Sequence, residues 1–515
     1  MNIIDNDLLS IQEARILVEN AHEAQKMLTT FPQEKLDVIV ERMAEEVGKH
    51  ASELAKLSQE ETDYGRWQDK LIKNRFVCEY LRNSLRNLRC VGIIHEDKKN
   101  RTMDVGVPIG VIVALCPATS PVSTTIYKAL IAIKSGNAII FSPHPRAKKT
   151  MHAVLDILIR AAEGYGLPQG ALAYLSVVTR SGTAELMNHK STSLVMNTGV
   201  PGMLKAAYES GKPVIYGGTG NGPAFIERTA DIKQAVRDII VSKTFDNGMV
   251  SAAEQSIVVD SCIAAEVKRE LQNNGAYFMT DEEAKRLGTM LFLSDGCPEP
   301  ELVGRTAQEL AKRAGFYVPD NVVLLISEQR YVFEANPYSK EKLCPVLAYY
   351  IEDDWMDACE KCIELLLSER TGNTLVIHSN DEEVIRQFAL KKPVGRVLVN
   401  TPAIFGSMGA TTNLFPAMTL GSGSAGQGIT SDNVSPMNLI YVRKVGYGVR
   451  TADQIKTTYF KPSVSVQQEQ PEKREQKKEN IQLVQNVLEG VIKELRNRDS
   501  EHALKNSISL NPVNR

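Results

Sequence analysis

The chain lacks the features that mark several classes of protein. Its apolar runs, such as VGVPIGVIVAL, fall well short of the ~20 residues that a membrane-spanning helix needs, so we expect no membrane segment. Its eight cysteines are scattered and form no framework of the kind that cross-links small secreted domains. The net charge of −2 creates no global field that would attract nucleic acid or an anionic membrane. What remains is a soluble globular protein.

The amino terminus also lacks the pattern of a secretory signal. The stretch MNIIDNDLLSIQEAR carries acidic residues where a signal has basic residues followed by an apolar segment. We therefore expect a cytoplasmic protein. Cys359 and Cys362 have the spacing CxxC, but no second pair and no histidine lies near them. Half-buried cysteines on a helix explain this pattern better than a zinc or redox site, and we predict no metal.

The composition that is present, 43% hydrophobic and 24% charged residues over 515 positions, suits two or three globular domains. Residues 8–90 have apolar positions at helical spacing, which predicts several amphipathic helices. Short β-rich runs then alternate with helical segments as far as residue 227 and again over 228–430. This alternation predicts parallel βαβ units in two α/β domains, 1–227 and 228–430, of which the first is of the nucleotide-binding type.

From about residue 456 the composition changes. The stretch YFKPSVSVQQEQPEKREQKKEN has little apolar content and predicts a flexible linker. After it, apolar residues are spaced by three or four, at Ile481, Val484, Leu488, Val491 or Ile492, and Leu495. This spacing predicts one apolar stripe on a helix of about five turns. Residues 456–515 are therefore expected to form a linker and a helix that docks on a partner.

Two stretches of the first α/β domain indicate a ligand. The turn SPHPRAKK follows the apolar strand NAIIF, at the end where parallel sheets bind nucleotides. Its cations, His144, Arg146, Lys148 and Lys149, would suit a phosphorylated adenosine; a solvated basic turn before a helix is the alternative. The glycine-rich stretch YGGTGNGPAF would let the backbone approach a ligand, although it is not the dinucleotide fingerprint GxGxxG.

Taken in order, six segments resemble one family. They are PIGVIVALCPATSPVSTTIYKALIAIKSGNAIIFSPHPRAKK, NTGVPGMLKAA, YGGTGNGPAFI, KTFDNGMVSAAEQS, EKLCPVLAYY and TLGSGSAGQ. Over residues 5–455 the chain resembles the aldehyde dehydrogenase superfamily, and within it the CoA-acylating acetaldehyde and propionaldehyde dehydrogenases. The resemblance implies an aldehyde dehydrogenase-like α/β fold with two Rossmann-like domains and a tethered carboxy-terminal helix. It also implies an oligomerisation ribbon from residues 98–112 and 431–455.

The resemblance implies a covalent mechanism. Family members attack the aldehyde with a cysteine thiolate, pass a hydride from the adduct to NAD(P)+ and release the thioester with a second nucleophile. In hydrolytic relatives a glutamate activates water for this release. The matching position here is Gly217, which stands 34 residues before the nucleophile position. Because a CoA thiolate needs no such general base, the resemblance implies acyl transfer to CoA.

The resemblance further implies overlapping adenosine sites for NAD+ and CoA, with the choice between NAD+ and NADP+ left open. Hydrolytic relatives often hold the adenosine ribose with a glutamate where this chain has Pro145, and the cations around it would accept the 3′-phosphate of CoA. Glu341 matches the glutamate that contacts the nicotinamide ribose. The implied cofactor-binding residues are Pro117, Ser142, Pro143, His144, Pro145, Arg146, Thr198, Gly199, Gly217, Gly218, Thr219, Glu341 and Leu343.

The nucleophile position itself departs from the family. It holds Ser251, whose hydroxyl needs a strong adjacent base, whereas a thiol of pKa ~8.5 is partly ionised near neutrality. Three interpretations stay open. The chain carries an introduced replacement of the cysteine, it is a natural paralogue without dehydrogenase activity, or it uses another thiol, for which Cys344 is the candidate.

A second departure concerns the loop PATSP. The acylating branch often has an asparagine there to support the developing oxyanion, and here Thr119 and Ser120 stand instead. A hydroxyl can donate such a hydrogen bond together with a backbone N–H. Thr119 and Ser120 are therefore predicted to be catalytic alongside Ser251.

The tail resembles the encapsulation peptides that direct enzymes into bacterial microcompartments. The resemblance implies that residues 480–497 dock on a shell or cargo protein; packing on the chain's own core or a short coiled coil between subunits is the alternative. We expect a dimer or tetramer that oxidises propionaldehyde or acetaldehyde inside such a compartment. A catalytically silent cargo or assembly protein is the alternative from another class.

Overall fold

The structure is a computed structural model. It describes residues 5–218, 220–369, 372–423, 426–459 and 471–506. Contacts between residues divide the chain into two units, Met1–Val445 and Gly446–Arg515. The first unit contains three β-sheets with the helices that cover them, and the second contains helices.

The described residues form α-helices in both units. In chain order they are α1 (Asn6–Leu28), α2 (Gln33–Lys49), α3 (Ala51–Thr62), α4 (Trp67–Arg75), α5 (Arg82–Leu85), α6 (Pro121–Lys134), α7 (Lys148–Gly164), α8 (Arg180–Asn188), α9 (Leu204–Glu209), α10 (Ile232–Thr244), α11 (Ala264–Asn273), α12 (Asp281–Gly288), α13 (Ala307–Arg313), α14 (Trp355–Ser368), α15 (Glu382–Lys391), α16 (Ala403–Ser407), α17 (Ala452–Tyr459) and α18 (Pro471–Asn506). Capping boxes fix the starts of α12 and α13, through Thr280 with Glu283 and Thr306 with Glu309. Over this part of the chain, every helix is too short or too polar to cross a membrane.

The strands lie in three sheets. In chain order they are β1 (Gly92–Asp97), β2 (Thr102–Pro108), β3 (Val111–Leu115), β4 (Ile139–Ser142), β5 (Leu172–Tyr174), β6 (Thr192–Thr198), β7 (Val214–Gly217), β8 (Pro223–Ile226), β9 (Ser256–Asp260), β10 (Ala276–Phe278), β11 (Leu324–Glu328), β12 (Val346–Glu352), β13 (Thr374–His378), β14 (Arg396–Val399) and β15 (Ile440–Gly446). Within the two larger sheets the neighbouring strands are parallel. Parallel strands are buried on both faces, which explains their continuous apolar runs.

The first large sheet has the strand order β5–β4–β3–β6–β7. Its winding reverses between β3 and β6, so the loops after these two strands diverge and leave a crevice. Helix α6 lies in the adjoining core, and every one of its residues is buried. Its two lysines are bonded inside the protein: Lys134 to the carboxylate of Asp37, and Lys128 to the carbonyl oxygens of Leu115 and Met196.

The second large sheet has the strand order β10–β11–β12–β9–β8–β13–β14. Alternate residues of its strands enter opposite cores: Phe225 packs in the cluster with α13 and α14, whereas Ala224 and Ile226 pack with α10 and α11. The sheet begins with β8 at Pro223, a few residues before the boundary expected at residue 228. The glycine-rich loop before β8 is where the chain crosses from one sheet to the other.

After the second sheet the chain returns to the first domain. The hydroxyl of Tyr127 donates to the carbonyl oxygen of Val434, and Asn137 Nδ2 donates to that of Leu439 at 2.8 Å. Strand β15 follows and forms the third sheet in the order β1–β2–β15, with β1 and β2 antiparallel. β2 and β15 lie in the segments in which the ribbon was expected, 98–112 and 431–455, whereas β1 precedes the first of them. The α/β fold class predicted from the sequence is confirmed.

The second unit contains α17 and α18. Helix α18 begins at Pro471, inside the stretch expected to be a linker, because its first turns consist of Glu, Lys, Arg and Gln, which favour helix. Residues 460–470 of that stretch lie outside the described residues. The side chains of the expected apolar stripe are 49–58% exposed, at Ile481, Val484, Leu488, Val491, Ile492 and Leu495. The stripe therefore lies on a helix, as its spacing predicts.

His378 in β13 is a buried histidine that couples folding to pH. Only 1% of its surface is exposed, and its Nε2 has no hydrogen-bond partner among the described residues. Burial lowers the pKa of His378 to about 4, whereas a histidine in an unfolded chain titrates near ~6.5. The folded protein therefore keeps this ring neutral between those two values.

We predict that the free energy of unfolding falls as the pH is lowered from ~6.5 to about 4, because the unfolded state binds the proton first. The difference between the two pKa values of His378 corresponds to a loss of roughly 3 kcal/mol in the free energy of unfolding. Urea unfolding at several pH values measures it. His378→Gln is expected to flatten the pH dependence, and His95→Gln, at an exposed position of β1, is expected to retain it. Equal pH dependence in all three proteins would contradict the assignment.

Candidate active site

Ser251 lies on a tight turn that joins α10 to β9. The helix ends at Thr244, and the short helical turn Phe245–Gly248 follows, with Asp246 and Asn247 at φ values of 49° and 53°. Aspartate and asparagine visit this left-handed region more readily than most residues. The turn leaves Ser251 partly exposed, just before a buried strand.

The carboxylate of Asp246 holds this turn against helix α4. It is fully buried and accepts hydrogen bonds from the amide of Arg66 at 2.7 Å and from the ammonium groups of Lys73 and Lys70 at 2.6 and 3.2 Å. The amide of Asp246 donates to Asp69 at 2.9 Å. Burial alone would raise the pKa of Asp246, but the two ammonium groups outweigh it and lower that pKa below its usual value. Asp246 is therefore ionised at neutral pH.

The same two lysines hold the loop between β3 and α6. Lys73 Nζ donates to Ser120 Oγ at 2.7 Å, and Lys70 Nζ donates to the carbonyl oxygen of Thr119 at 3.1 Å. The loop that carries the predicted oxyanion residues is thus joined to the turn of Ser251 through one buried cluster of charges.

The glycine-rich loop between β7 and β8 meets Ser251 at Gly220. A Cβ on Gly220 would lie 1.9 Å from the carbonyl oxygen of Ser251, so only glycine permits this approach. The amide of Gly220 donates to Oε1 of Glu341 at 2.9 Å, and burial raises the pKa of Glu341 to about 8. The structure therefore brings together Ser251, the glycine-rich loop and Glu341. Thr219, predicted to bind cofactor, lies outside the described residues.

Gly217 ends β7 and Gly199 follows the neighbouring strand β6, at one edge of the first sheet. The amide of Gly199 donates to the carbonyl oxygen of Gly217 at 2.9 Å. A Cβ on Gly217 would lie 2.9 Å from Cγ2 of Thr419, whose hydroxyl is hydrogen-bonded to that of Thr198 at 2.8 Å. A glutamate at position 217 would therefore require Thr419 to move. Gly218 continues the same loop.

A cavity of about 380 Å³ opens where β3, β4 and β6 end. Open α/β sheets bind nucleotides at such a reversal of strand order. Residues at the ends of these strands line it, namely Leu115 and Cys116 at the end of β3, Ser142, Pro143, His144 and Pro145 at the end of β4, and Gly199, Val200, Pro201, Gly202 and Met203 after β6. Pro117 lies beside it, since a Cβ on Gly199 would be 3.0 Å from Cβ of Pro117. Five of the predicted cofactor residues of the first domain thus line one cavity: Ser142, Pro143, His144, Pro145 and Gly199.

The four cations of the basic turn do not all face this cavity. His144 lines it, and burial, with a smaller effect of Arg146, lowers the pKa of its imidazole. The guanidinium of Arg146 lies 5.0 Å from the ring centroid of Tyr64. At the start of α7, where Lys148 and Lys149 stand, backbone amides donate to the carboxylate of Glu61. Of these four side chains, His144 therefore lines the cavity and Arg146 packs over Tyr64.

Another wall of the cavity was not predicted from the sequence. It is formed at the start of α8 by Val178, Thr179, Arg180 and Thr183. The guanidinium of Arg180 lies there, with Nη2 3.4 Å from the carbonyl oxygen of Gly202. The signal was the stretch VVTRSG, which follows a predicted strand of the same sheet and so ends at the same edge.

Two further predicted residues occupy the segment before β12. Leu343 has a φ of 37°, and its carbonyl oxygen accepts a hydrogen bond from the amide of Gly304. Cys344 is 1% exposed, and burial raises the pKa of its thiol to about 11 although Lys243 and Lys342 are close. Such a thiol carries little thiolate at neutral pH. The environment of Cys344 therefore does not support its use as an alternative nucleophile.

Comparison with known proteins identifies the fold. The model of the aldehyde dehydrogenase family matches residues 4–290, which is more than half of the chain. The chain belongs to the aldehyde dehydrogenase family. The family resemblance of the six segments is thereby confirmed.

Among curated relatives, the bifunctional aldehyde-alcohol dehydrogenase AdhE of Escherichia coli K12 is 38% identical over 441 residues, covering 85% of this chain and 49% of that one. The chain thus spans about half the length of this relative. The acetylating succinate-semialdehyde dehydrogenase of Clostridium kluyveri is 33% identical over 444 residues, covering 85% of this chain and 96% of that one.

Solved structures of aldehyde dehydrogenases have the same fold as this chain. A probable aldehyde dehydrogenase from Listeria monocytogenes has a TM-score of 0.86 and 47% identity, covering 88% of this chain and 100% of that one. A propionaldehyde dehydrogenase from the fucose utilisation microcompartment of Clostridium phytofermentans has a TM-score of 0.75 and 26% identity, covering 84% of this chain and 97% of that one. The family fold therefore extends through both large sheets.

Gly220→Ala tests the contact between the glycine-rich loop and Ser251. We predict a loss of about 1–3 kcal/mol in the free energy of unfolding, because the new methyl group would overlap the carbonyl oxygen of Ser251 and displace backbone. Gly164→Ala is the matched control, since a Cβ there meets no atom within 4 Å. Urea unfolding compares the two variants. A Gly220→Ala protein as stable as the control would contradict the close approach.

Proposed function

We propose that the chain is a CoA-acylating aldehyde dehydrogenase in which serine holds the nucleophile position. A short aldehyde, the nicotinamide of NAD+ and the thiol of CoA would each approach residue 251 in turn. The observation that carries the proposal is the meeting of the Ser251 turn with Gly220 and Glu341 at the end of the first sheet. The acetylating relative from Clostridium kluyveri supports the same class of reaction.

Release of the acyl group to CoA follows from position 217. Hydrolysis would need a general base to deprotonate water, and Gly217 packs against Thr419 where that carboxylate would stand. A thiol such as that of CoA is more acidic than water and needs less help to ionise. The site therefore favours transfer of the acyl group to a thiol.

The residues around the cavity fit a dinucleotide and, in turn, CoA. Gly199, at a φ of 61°, lets backbone approach the ligand at the switch point of the sheet. When bound, NAD+ would accept the hydride of the aldehyde adduct. Glu341 would hold the nicotinamide ribose, and Arg180 with His144 would face the adenosine end. We propose NAD+ as the cofactor and CoA as the second substrate.

Serine at position 251 limits what this site can do. Among the hydrogen bonds of the described residues, none joins Oγ of Ser251 to a basic side chain. An alkyl hydroxyl without a base stays protonated and is a weak nucleophile. The same observation favours a second candidate, a catalytically silent protein that keeps the fold for binding or assembly.

Ser251→Cys separates these candidates. We expect the variant to form NADH from propionaldehyde and CoA on the order of 10²-fold faster than the parent, because a partly ionised thiol replaces a neutral hydroxyl. NADH absorbance measures the rate, and mass spectrometry identifies the acyl-CoA. Acetaldehyde is assayed in parallel, and Ser251→Ala is the control, expected to be no faster than the parent.

The outcomes differ between the candidates. Activity in neither the parent nor the cysteine variant would favour the assembly protein. Free acid formed without CoA would indicate a hydrolytic enzyme and would contradict the interpretation of Gly217.

We also propose two contacts between proteins. The ribbon of β1, β2 and β15 would join subunits into a dimer or tetramer, and its exposed Ile93, Tyr441 and Val442 support this role. The apolar stripe on α18 would dock on a shell or cargo protein of a microcompartment. Its half-exposed side chains support that docking, and the structural neighbour from Clostridium phytofermentans comes from such a compartment.

Charges placed in the stripe test the docking. The double variant Val484→Glu, Leu488→Glu is predicted to weaken co-sedimentation with purified microcompartment shells about tenfold or more, because each glutamate would be buried in an apolar contact. Gln482→Glu with Asn486→Glu is the matched control, since these positions lie on the opposite side of α18. Equal binding of the two variants would contradict the docking. A change of subunit number alone would indicate a coiled coil between subunits.

A further inference from the structure

The buried charges around Asp246 include a contact that the proposed reaction does not account for. Lys73 Nζ lies 2.7 Å from Ser120 Oγ and 2.6 Å from Oδ2 of Asp246, and only 1% of the lysine is exposed. Lys70 shares the same carboxylate oxygen but donates to the carbonyl oxygen of Thr119. Two lysines of one helix therefore hold the same loop through different groups.

The hydrogen bond from Lys73 determines how Ser120 can act. Ser120 stands at the N-cap of α6, but its side chain caps no amide of that helix. Its Oγ accepts a hydrogen bond from an ammonium group instead, which leaves the hydroxyl hydrogen available to donate to another oxygen. Because hydrogen bonds in a chain polarise one another, this hydroxyl is a stronger donor than an isolated one.

The cluster also fixes Ser120 relative to residue 251. Asp246, which holds the lysine, stands five residues before Ser251 on the same turn. Ala118, two residues before Ser120, and Ala252, next to Ser251, are buried in one hydrophobic core. The loop and the turn are thus joined by a buried charge, and both contribute residues to one apolar core.

We propose that Lys73 is a positioning residue that directs the Ser120 hydroxyl to the carbonyl oxygen of a substrate bound at residue 251. That oxygen gains negative charge when a nucleophile adds to the carbonyl carbon, so a donor aimed at it stabilises the adduct. This inference rests on the proposed function of position 251. It adds to that function a lysine from another helix, whose Nζ is bonded to the buried carboxylate of Asp246.

The test measures the adduct rather than turnover. In the full chain carrying Ser251→Cys, the sulfur of the ionised thiol adds to the carbonyl carbon of trifluoroacetone, and the electron pair of the carbonyl π bond moves to the oxygen, which carries the negative charge in the adduct. Fluorine NMR detects this hemithioketal without NAD+ or CoA, and the parent chain is the blank. Dissociation constants of the adduct are compared for Lys73→Met, Ser120→Ala and the double variant. Lys70→Met is the matched control, because Lys70 is 3% exposed and shares Asp246.

Both single variants are expected to weaken the adduct about tenfold or more, since each removes a hydrogen bond to developing charge. The double variant should weaken it no further, because both changes remove the same interaction. Lys70→Met combined with Ser120→Ala should raise the dissociation constant of the adduct by the product of the two single effects, because Lys70 is not bonded to the Ser120 hydroxyl. Ser120→Thr keeps a hydroxyl and should retain most of the affinity. Urea unfolding of each variant defines conditions in which all of them are folded.

Three results would overturn the proposal. The first is that the affinity losses of Lys73→Met and Ser120→Ala multiply in the double variant, and the second is that Lys70→Met couples to Ser120→Ala as strongly as Lys73→Met does. The third is that the Ser251→Cys chain forms no adduct. If Lys73→Met does not fold, an unchanged adduct in Ser120→Ala is sufficient to overturn it. An adduct that forms normally in a chain that makes no NADH would count against the proposed dehydrogenase function alone.

Discussion

The ionised carboxylate of Asp246, enclosed between helix α4 and the turn that carries Ser251, sets the geometry of the candidate site. It binds two ammonium groups and an amide, while its own backbone takes a left-handed conformation. Removing one partner from such a buried cluster leaves an uncompensated charge, which typically costs about 3–5 kcal/mol. Helix α4, the loop after β3 and the turn before β9 are therefore held as one block. A site assembled from three distant segments needs such a block, because its geometry must persist when ligands exchange.

The two sheets were predictable because parallel strands are buried on both faces. Runs such as VIVAL in β3 and SIVVD in β9 alternate with helical segments, and that alternation defines the fold class. The buried lysines of α4 were not predictable. In the stretch KLIKNR, Lys70 and Lys73 resemble the solvent face of an amphipathic helix. Their partners Asp246, Thr119 and Ser120, which lie far away in the chain, explain why both are inside the protein.

In the candidate site, too, some features were predictable from the sequence and others were not. The family resemblance implied roles for Ser251 and Glu341, but it did not single out Gly220. The approach of Gly220 to both residues depends on contacts between distant segments, which periodicity does not specify. The predicted ends of the strands indicate the edge of the sheet at which the cavity lies, but they do not indicate the direction of each side chain. Arg146 packs over Tyr64, whereas Arg180 lines the cavity. Side-chain direction after a strand depends on the following turn, and a pattern of residue types does not specify that turn.

The return of the chain to the first domain has a consequence for biosynthesis. Tyr127 and Asn137 are bonded to the carbonyl oxygens of Val434 and Leu439, about three hundred residues later. A ribosome releases the amino-terminal sheet long before those partners emerge. During that interval the nascent domain exposes apolar surface that the finished protein covers, and it must stay unaggregated until synthesis is nearly complete. Because of this topology, we expect chaperones to bind the nascent amino-terminal domain during translation.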